Sequence, residues 1–182
     1  MESSDKTKEY KYGFIIWHFE YIKNHNFMFD NYIYEPLSNY QDADKIRIAV
    51  ITDVILKDKY KGNYFYAYKL IKDFCNHFEY RFGGNIIICT HLLSSKFIDK
   101  AKFNRFSSFE SMYSLFTLMR MVYYKANFYV YDIITRCGEC VCIYNNEIYN
   151  KVYNSYRISI SARQLSAKER EINNDLLDPN KI

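Results

Sequence analysis

The chain has 182 residues, 49% hydrophobic and 19% aromatic, with 25 basic against 21 acidic side chains and a formal charge of +4. That apolar content excludes a disordered chain, the length suits one domain with a sizeable core, and the near-balanced charge argues against a nucleic-acid protein. The densest basic stretch, Lys57-Asp-Lys-Tyr-Lys61, is diluted by its own aspartate.

Residues 1–11 are polar and charged and read as an N-terminal arm or short helix. Tyr12–Trp17 alternates as a strand, and Phe27–Tyr34 is a second candidate strand that ends before Pro36. Lys45–Leu56 is rich in Ile and Val with apolar residues on both faces, the pattern of a central, buried strand. Tyr64–Phe78 carries both a helical spacing (Tyr64, Tyr68, Ile71, Cys75, Phe78) and a strand-like alternation, and its length favours a helix. Gly83-Gly84 turns the chain into a buried strand at Asn85–Cys89. Ser107 with Glu110 forms a capping box for a helix that places Met112, Leu115, Phe116, Met119 and Tyr123 on one face. From Asn127 the pattern is of strands and turns: Phe128–Thr135, Cys140–Tyr144, Ile148–Val152 and Tyr156–Ser161. Ser166 with Glu169 caps a last helix that stops before Pro179.

These elements predict a mainly β, α+β fold: an antiparallel β-sandwich decorated by the N-terminal arm and two to four helices. The expected organisation is a single domain, with the arm at 1–11, the sandwich core at 12–162, and the C-terminal helix and tail at 163–182. No 18-residue apolar run marks a membrane span, and no apolar leader opens the sequence. Five cysteines, an odd number, fit thiols in a reducing cytosol better than a disulfide frame.

Chemistry-bearing patterns are sparse. Cys137-Gly-Glu-Cys140, together with Cys89 and His91, contains ligand types that zinc accepts, but no second C-x-x-C accompanies it and buried core thiols explain the cysteines equally well. His18, His25, His77 and His91 have no carboxylate partners apparent from their sequence positions, and no nucleophile elbow, metalloprotease or phosphate-loop motif is present. The expectation is a protein without catalysis and without a cofactor. Asp53, inside an apolar strand, calls for a partner such as Arg47 or Lys57, for solvent, or for a functional role.

Tyrosine is the conspicuous excess, with 20 copies. Many of the abundant residues have AT-rich codons, so nucleotide bias accounts for part of the surplus. The groups Tyr64-Phe-Tyr-Ala-Tyr68, Tyr123-Tyr124 and Phe128-Tyr-Val-Tyr131 exceed the needs of one small core. Base stacking and a protein–protein interface both use such rings. The candidate contact and pH-trigger residues are Tyr10, Tyr12, Tyr64, Tyr66, Tyr68, Tyr123, Tyr124, Tyr129, Tyr131, Tyr153 and Tyr156.

Arg136-Cys-Gly-Glu139, Val152-Tyr-Asn-Ser155 and Ile158-Ser-Ile-Ser161 give the stretch Phe128–Ala162 a pattern that resembles the polyhedrins of insect cypoviruses. A looser likeness is the helix near Tyr64–Tyr80 ahead of the strand Asn85–Cys89. The resemblance implies a β-sandwich with an exchanged N-terminal helix in a non-enzymatic protein. Such a protein crystallises in the cytoplasm of an infected cell, embeds virus particles in occlusion bodies and dissolves in alkali. Its partners would be copies of itself and virus particles, with no membrane and no nucleic acid. Alkaline release agrees with the composition. Lysines neutralise above their ordinary range while 20 phenols ionise beside 21 carboxylates, so a near-neutral assembly becomes self-repelling. The alternative expectation is a soluble accessory protein of an AT-rich virus, phage or parasite, binding a host partner and containing zinc.

Overall fold

The computed structural model describes residues 5–21, 30–92, 109–132 and 140–177. The fold is α+β, and it is built on one mixed six-stranded sheet of order β1-β2-β3-β4-β6-β5. The strands are β1 (Lys6–Glu9), β2 (Gly13–Glu20), β3 (Arg47–Leu56), β4 (Ile86–His91), β5 (Phe128–Asp132) and β6 (Cys140–Tyr144). Among the described residues four α-helices accompany them: α1 (Glu35–Ser38), α2 (Tyr64–Arg81), α3 (Phe109–Lys125) and α4 (Glu147–Leu177). Among the described residues no helix is long and apolar enough to cross a membrane.

The expected sandwich of two sheets is therefore corrected to a single sheet clad by helices on both faces. The reason is visible in β3 and β4. Ala49, Ile51, Ile86 and Ile88 feed one core, while Ile48, Val50, Ile87 and Cys89 feed the other. A strand apolar on both sides needs cover on both sides, and helices supply it. α2 and α3 cover the first face; α1 and the start of α4 cover the second. β3 and β4 run parallel, joined by α2 as the crossover, and the remaining described pairings are antiparallel.

Periodicity explains the first layer. Ala67, Leu70, Ile71, Phe74, Cys75 and Phe78 are the buried residues of α2, at helical spacing. Asn63 caps the helix, its side chain accepting from Phe65 N–H at 3.1 Å. Phe78 stacks on Phe74 at 4.2 Å and meets the edge of Trp17 from β2 at 4.6 Å. Gly13 opens β2 where the backbone comes so near its neighbour that a Cβ would lie 2.1 Å from the Ile55 carbonyl oxygen.

Several segments differ from expectation. Lys6–Glu9 is a strand on β2, not an arm or helix, held by the ladder Lys6–Trp17 to Glu9–Phe14. Asp30–Tyr34 is a wide helical turn leading into α1, with Pro36 in the first turn where its missing N–H costs nothing; residues 27–29 lie outside the described residues. The expected strands Ile148–Val152 and Tyr156–Ser161 are both inside α4, which starts well before residue 163. Tyr149, Val152, Tyr153 and Tyr156 recur at three- and four-residue steps; the first three pack on the second core and Tyr156 is buried, whereas the alternating Ile158-Ser-Ile-Ser161 gains nothing from its alternation because Ile158 is 71% exposed. Ser166 is an interior residue of α4, its hydroxyl donating to the Arg163 carbonyl, so it caps nothing. Ser107 of the other predicted cap lies outside the described residues.

Asn146 fastens α4 to the sheet. Its Nδ2 donates to the Ile86 carbonyl at 2.7 Å, and its Oδ1 accepts from Tyr149 N–H at 3.0 Å.

Candidate aromatic contact surfaces

The tyrosines divide into two surface groups and a set that belongs to the core. The first group forms where β2 begins and β3 ends. Tyr10 N–H donates to the Gly13 carbonyl at 2.7 Å, closing a tight turn that puts Lys11 and Tyr12 at the hairpin tip. After β3 the chain makes a 3-10 turn, Asp58–Tyr60, and Gly62 with φ 77° swings it into α2. Tyr12, Tyr60 and Tyr66 thereby form a triangle of rings, with centroids 5.3, 5.0 and 4.5 Å apart. Phe65 extends it, edge-on to Tyr66 and Tyr68 at 5.6 and 5.2 Å, and is 48% exposed. Lys59 sits over Tyr60 at 4.8 Å, Lys69 over Phe65 at 4.6 Å and Lys11 over Tyr12 at 5.5 Å.

The second group lies on β5 and the start of α4, on the opposite face and toward the other edge of the sheet. Tyr32 packs on Tyr131 at 4.6 Å, and the Tyr131 and Tyr149 hydroxyls share a hydrogen bond of 3.0 Å. Tyr153 stacks on Tyr149 at 5.6 Å, and Tyr129 reaches the Asn150 side chain at 3.5 Å. Burial raises the Tyr131 phenol above its ordinary value, and burial, with Tyr131 as neighbour, raises Tyr149 further.

Tyr10, Tyr123 and Tyr156, expected at contacts, are core-side residues instead. Tyr123 is fully interior and its phenol is pushed up by burial. Tyr10 meets the edge of Phe74 at 6.4 Å, and burial raises it as well. Tyr156 is pushed up to about 12 by burial, then by its hydrogen bond to Glu35. Tyr64 and Tyr124 are exposed, and neither makes a ring contact among the described residues. Sequence reasoning missed Tyr32, Tyr60 and Tyr149. The helical step from Tyr149 to Tyr153 was available as a signal, whereas the approach of Tyr32 to Tyr131 is purely tertiary.

The zinc set is only partly open to inspection. Cys137 lies outside the described residues. Cys89 is buried in the second core with its thiol directed at the Ala49 carbonyl at 3.8 Å, and His91 follows on the same strand. Among the described residues no group of three or more His, Cys, Asp or Glu is arranged to hold a metal. Burial pushes the Cys75 and Cys89 thiols well up, as befits inert core cysteines. His18, by contrast, does find carboxylates. Its Nδ1 is 3.1 Å from Asp5 and its Nε2 3.0 Å from Glu20. Lys57, a candidate partner for Asp53, reaches Glu9 at 2.7 Å.

Neither a family model nor a curated protein matches the sequence.

Proposed function

We propose that this chain is a non-catalytic structural protein that assembles with copies of itself. The observation that carries the reading is the contrast between the two ends of the sheet. β1 bears Lys6 and Lys8, the usual guard against strand addition. β5, the last strand at the other end of the described sheet, reads Phe-Tyr-Val-Tyr-Asp, with no lysine and a ladder of tyrosines beside it. An antiparallel pairing of two β5 strands about Val130 would set Tyr129 opposite Tyr131 in both directions, a self-complementary contact.

The reading rests on these surfaces and not on the strand pattern shared with polyhedrins, because residues 152–155 and 158–161 are helical. In its fullest form it remains the occlusion expectation: an intracellular assembly that shelters virus particles and dissolves in alkali.

Sedimentation velocity over a wide concentration range tests the proposal, followed by turbidity of any particles from pH 7 to 12. Concentration-dependent association that Tyr129→Lys abolishes is the expected result. A monomer at all concentrations would overturn it and favour the accessory protein that binds a different partner.

A further inference from the structure

The triangle Tyr12–Tyr60–Tyr66 with Phe65 is a second surface, remote from β5, and its chemistry differs from that of the tyrosine ladder. Each outer ring has a lysine over it, and Lys11, Lys59 and Lys69 stand in no ion pair among the described residues. Their neighbour Lys61 is held by Asp58 at 2.6 Å, which leaves a local excess of positive charge over the rings. Position adds to composition. β3 and β4 are the parallel pair, and this surface is built from the connection directly after β3 and the first turn of the crossover helix. In open sheets ligands settle beyond the carboxyl ends of parallel strands.

We infer that this surface binds single-stranded nucleic acid, with the exposed Phe65 ring stacking a base and Lys11, Lys59 and Lys69 as contacts to the phosphates. Rings that each carry an ammonium group over one face match a ligand that alternates aromatic faces with anionic linkers; an acidic peptide satisfies the lysines but leaves the rings unused. The linear sequence conceals the site because Lys11 comes from the hairpin between β1 and β2, far from Lys59 and Lys69 in the chain, and only the fold gathers the three around one set of rings.

The test is fluorescence anisotropy of fluorescein-labelled oligothymidylate against the full chain across a salt series, with polyglutamate as competitor. Binding should weaken with salt at a logarithmic slope of about −2 for three phosphate contacts. Changing Lys11, Lys59 and Lys69 together to Gln should flatten that slope. Phe65→Leu, at an exposed position where folding is undisturbed, should weaken binding on the order of tenfold while leaving the slope intact, as expected when one stacked base is lost. Absence of binding at low salt, indifference to Phe65→Leu, or equal competition by polyglutamate would each overturn the inference.

Discussion

Replacing Asn146 by Ala should be a costly polar substitution. The side chain is buried and does two jobs at once, capping α4 through Tyr149 N–H and occupying the Ile86 carbonyl at 2.7 Å. Loss of an N-cap costs about 1 kcal/mol. A buried carbonyl left without its donor costs about 1–3 kcal/mol more. The sum is roughly 2–4 kcal/mol, or a fall in Tm on the order of 5–15 °C for a chain of this size. Asn146→Ser should recover part of the loss, because a hydroxyl still caps the helix but does not span the distance to β4. Urea unfolding followed by circular dichroism measures both, and an unchanged m-value would show that the two variants lose stability and not compactness. A destabilisation of Asn146→Ala within about 0.5 kcal/mol, the range of ordinary surface changes, would refute the claim that this residue fastens α4 to the sheet.

Other substitutions test the first layer and the phenols. Gly13→Ala would place its Cβ 2.1 Å from the Ile55 carbonyl, so it should destabilise by about 1–3 kcal/mol in urea unfolding, and a neutral result would show that β2 and β3 separate easily. Phe78→Ala removes the ring between Phe74 and Trp17 and should cost about 3–5 kcal/mol in the same assay. Stability should begin to fall from about pH 8.5, where the Cys75 and Cys89 thiols ionise only in the unfolded chain, and steepen from about pH 10, where an unfolded tyrosine ionises. It steepens there because the unfolded chain releases protons that Tyr131, Tyr149 and Tyr156, with their raised values, still hold in the fold. Absorbance at alkaline pH should accordingly show a late-titrating class of phenols, and a single transition of all tyrosines at the ordinary value would contradict the burial described here.

The sequence foretold some elements well and others badly, for identifiable reasons. The Ile- and Val-rich runs at Arg47–Leu56 and Ile86–Cys89 marked central strands because composition and length agreed. Length decides for a helix over Tyr64–Phe78 where two periods compete, and the observed helix Tyr64–Arg81 bears that out. The stretch from Glu147 reads as strands because β-branched and aromatic residues dominate it locally; the four- and three-residue steps from Tyr149 to Tyr153 to Tyr156 carry the helical information that packing uses. From there the error spread to the architecture, since removing two strands from the C-terminal part leaves too few for a second sheet. The contact surfaces were legible as residue types but not as groups. Tyr123 and Tyr10 look like their exposed counterparts in sequence, and the sheet alone determines which phenols turn inward.

The same sheet that bears both cores also keeps them apart. Side chains such as Phe78 and Tyr149 never meet, because a layer of hydrogen-bonded backbone stands between their clusters. Energetic effects of substitutions on opposite faces should therefore add, with little coupling between them. In evolutionary terms the backbone layer acts as a partition: the helices of one face are at liberty to change their packing residues without asking for compensation from the other.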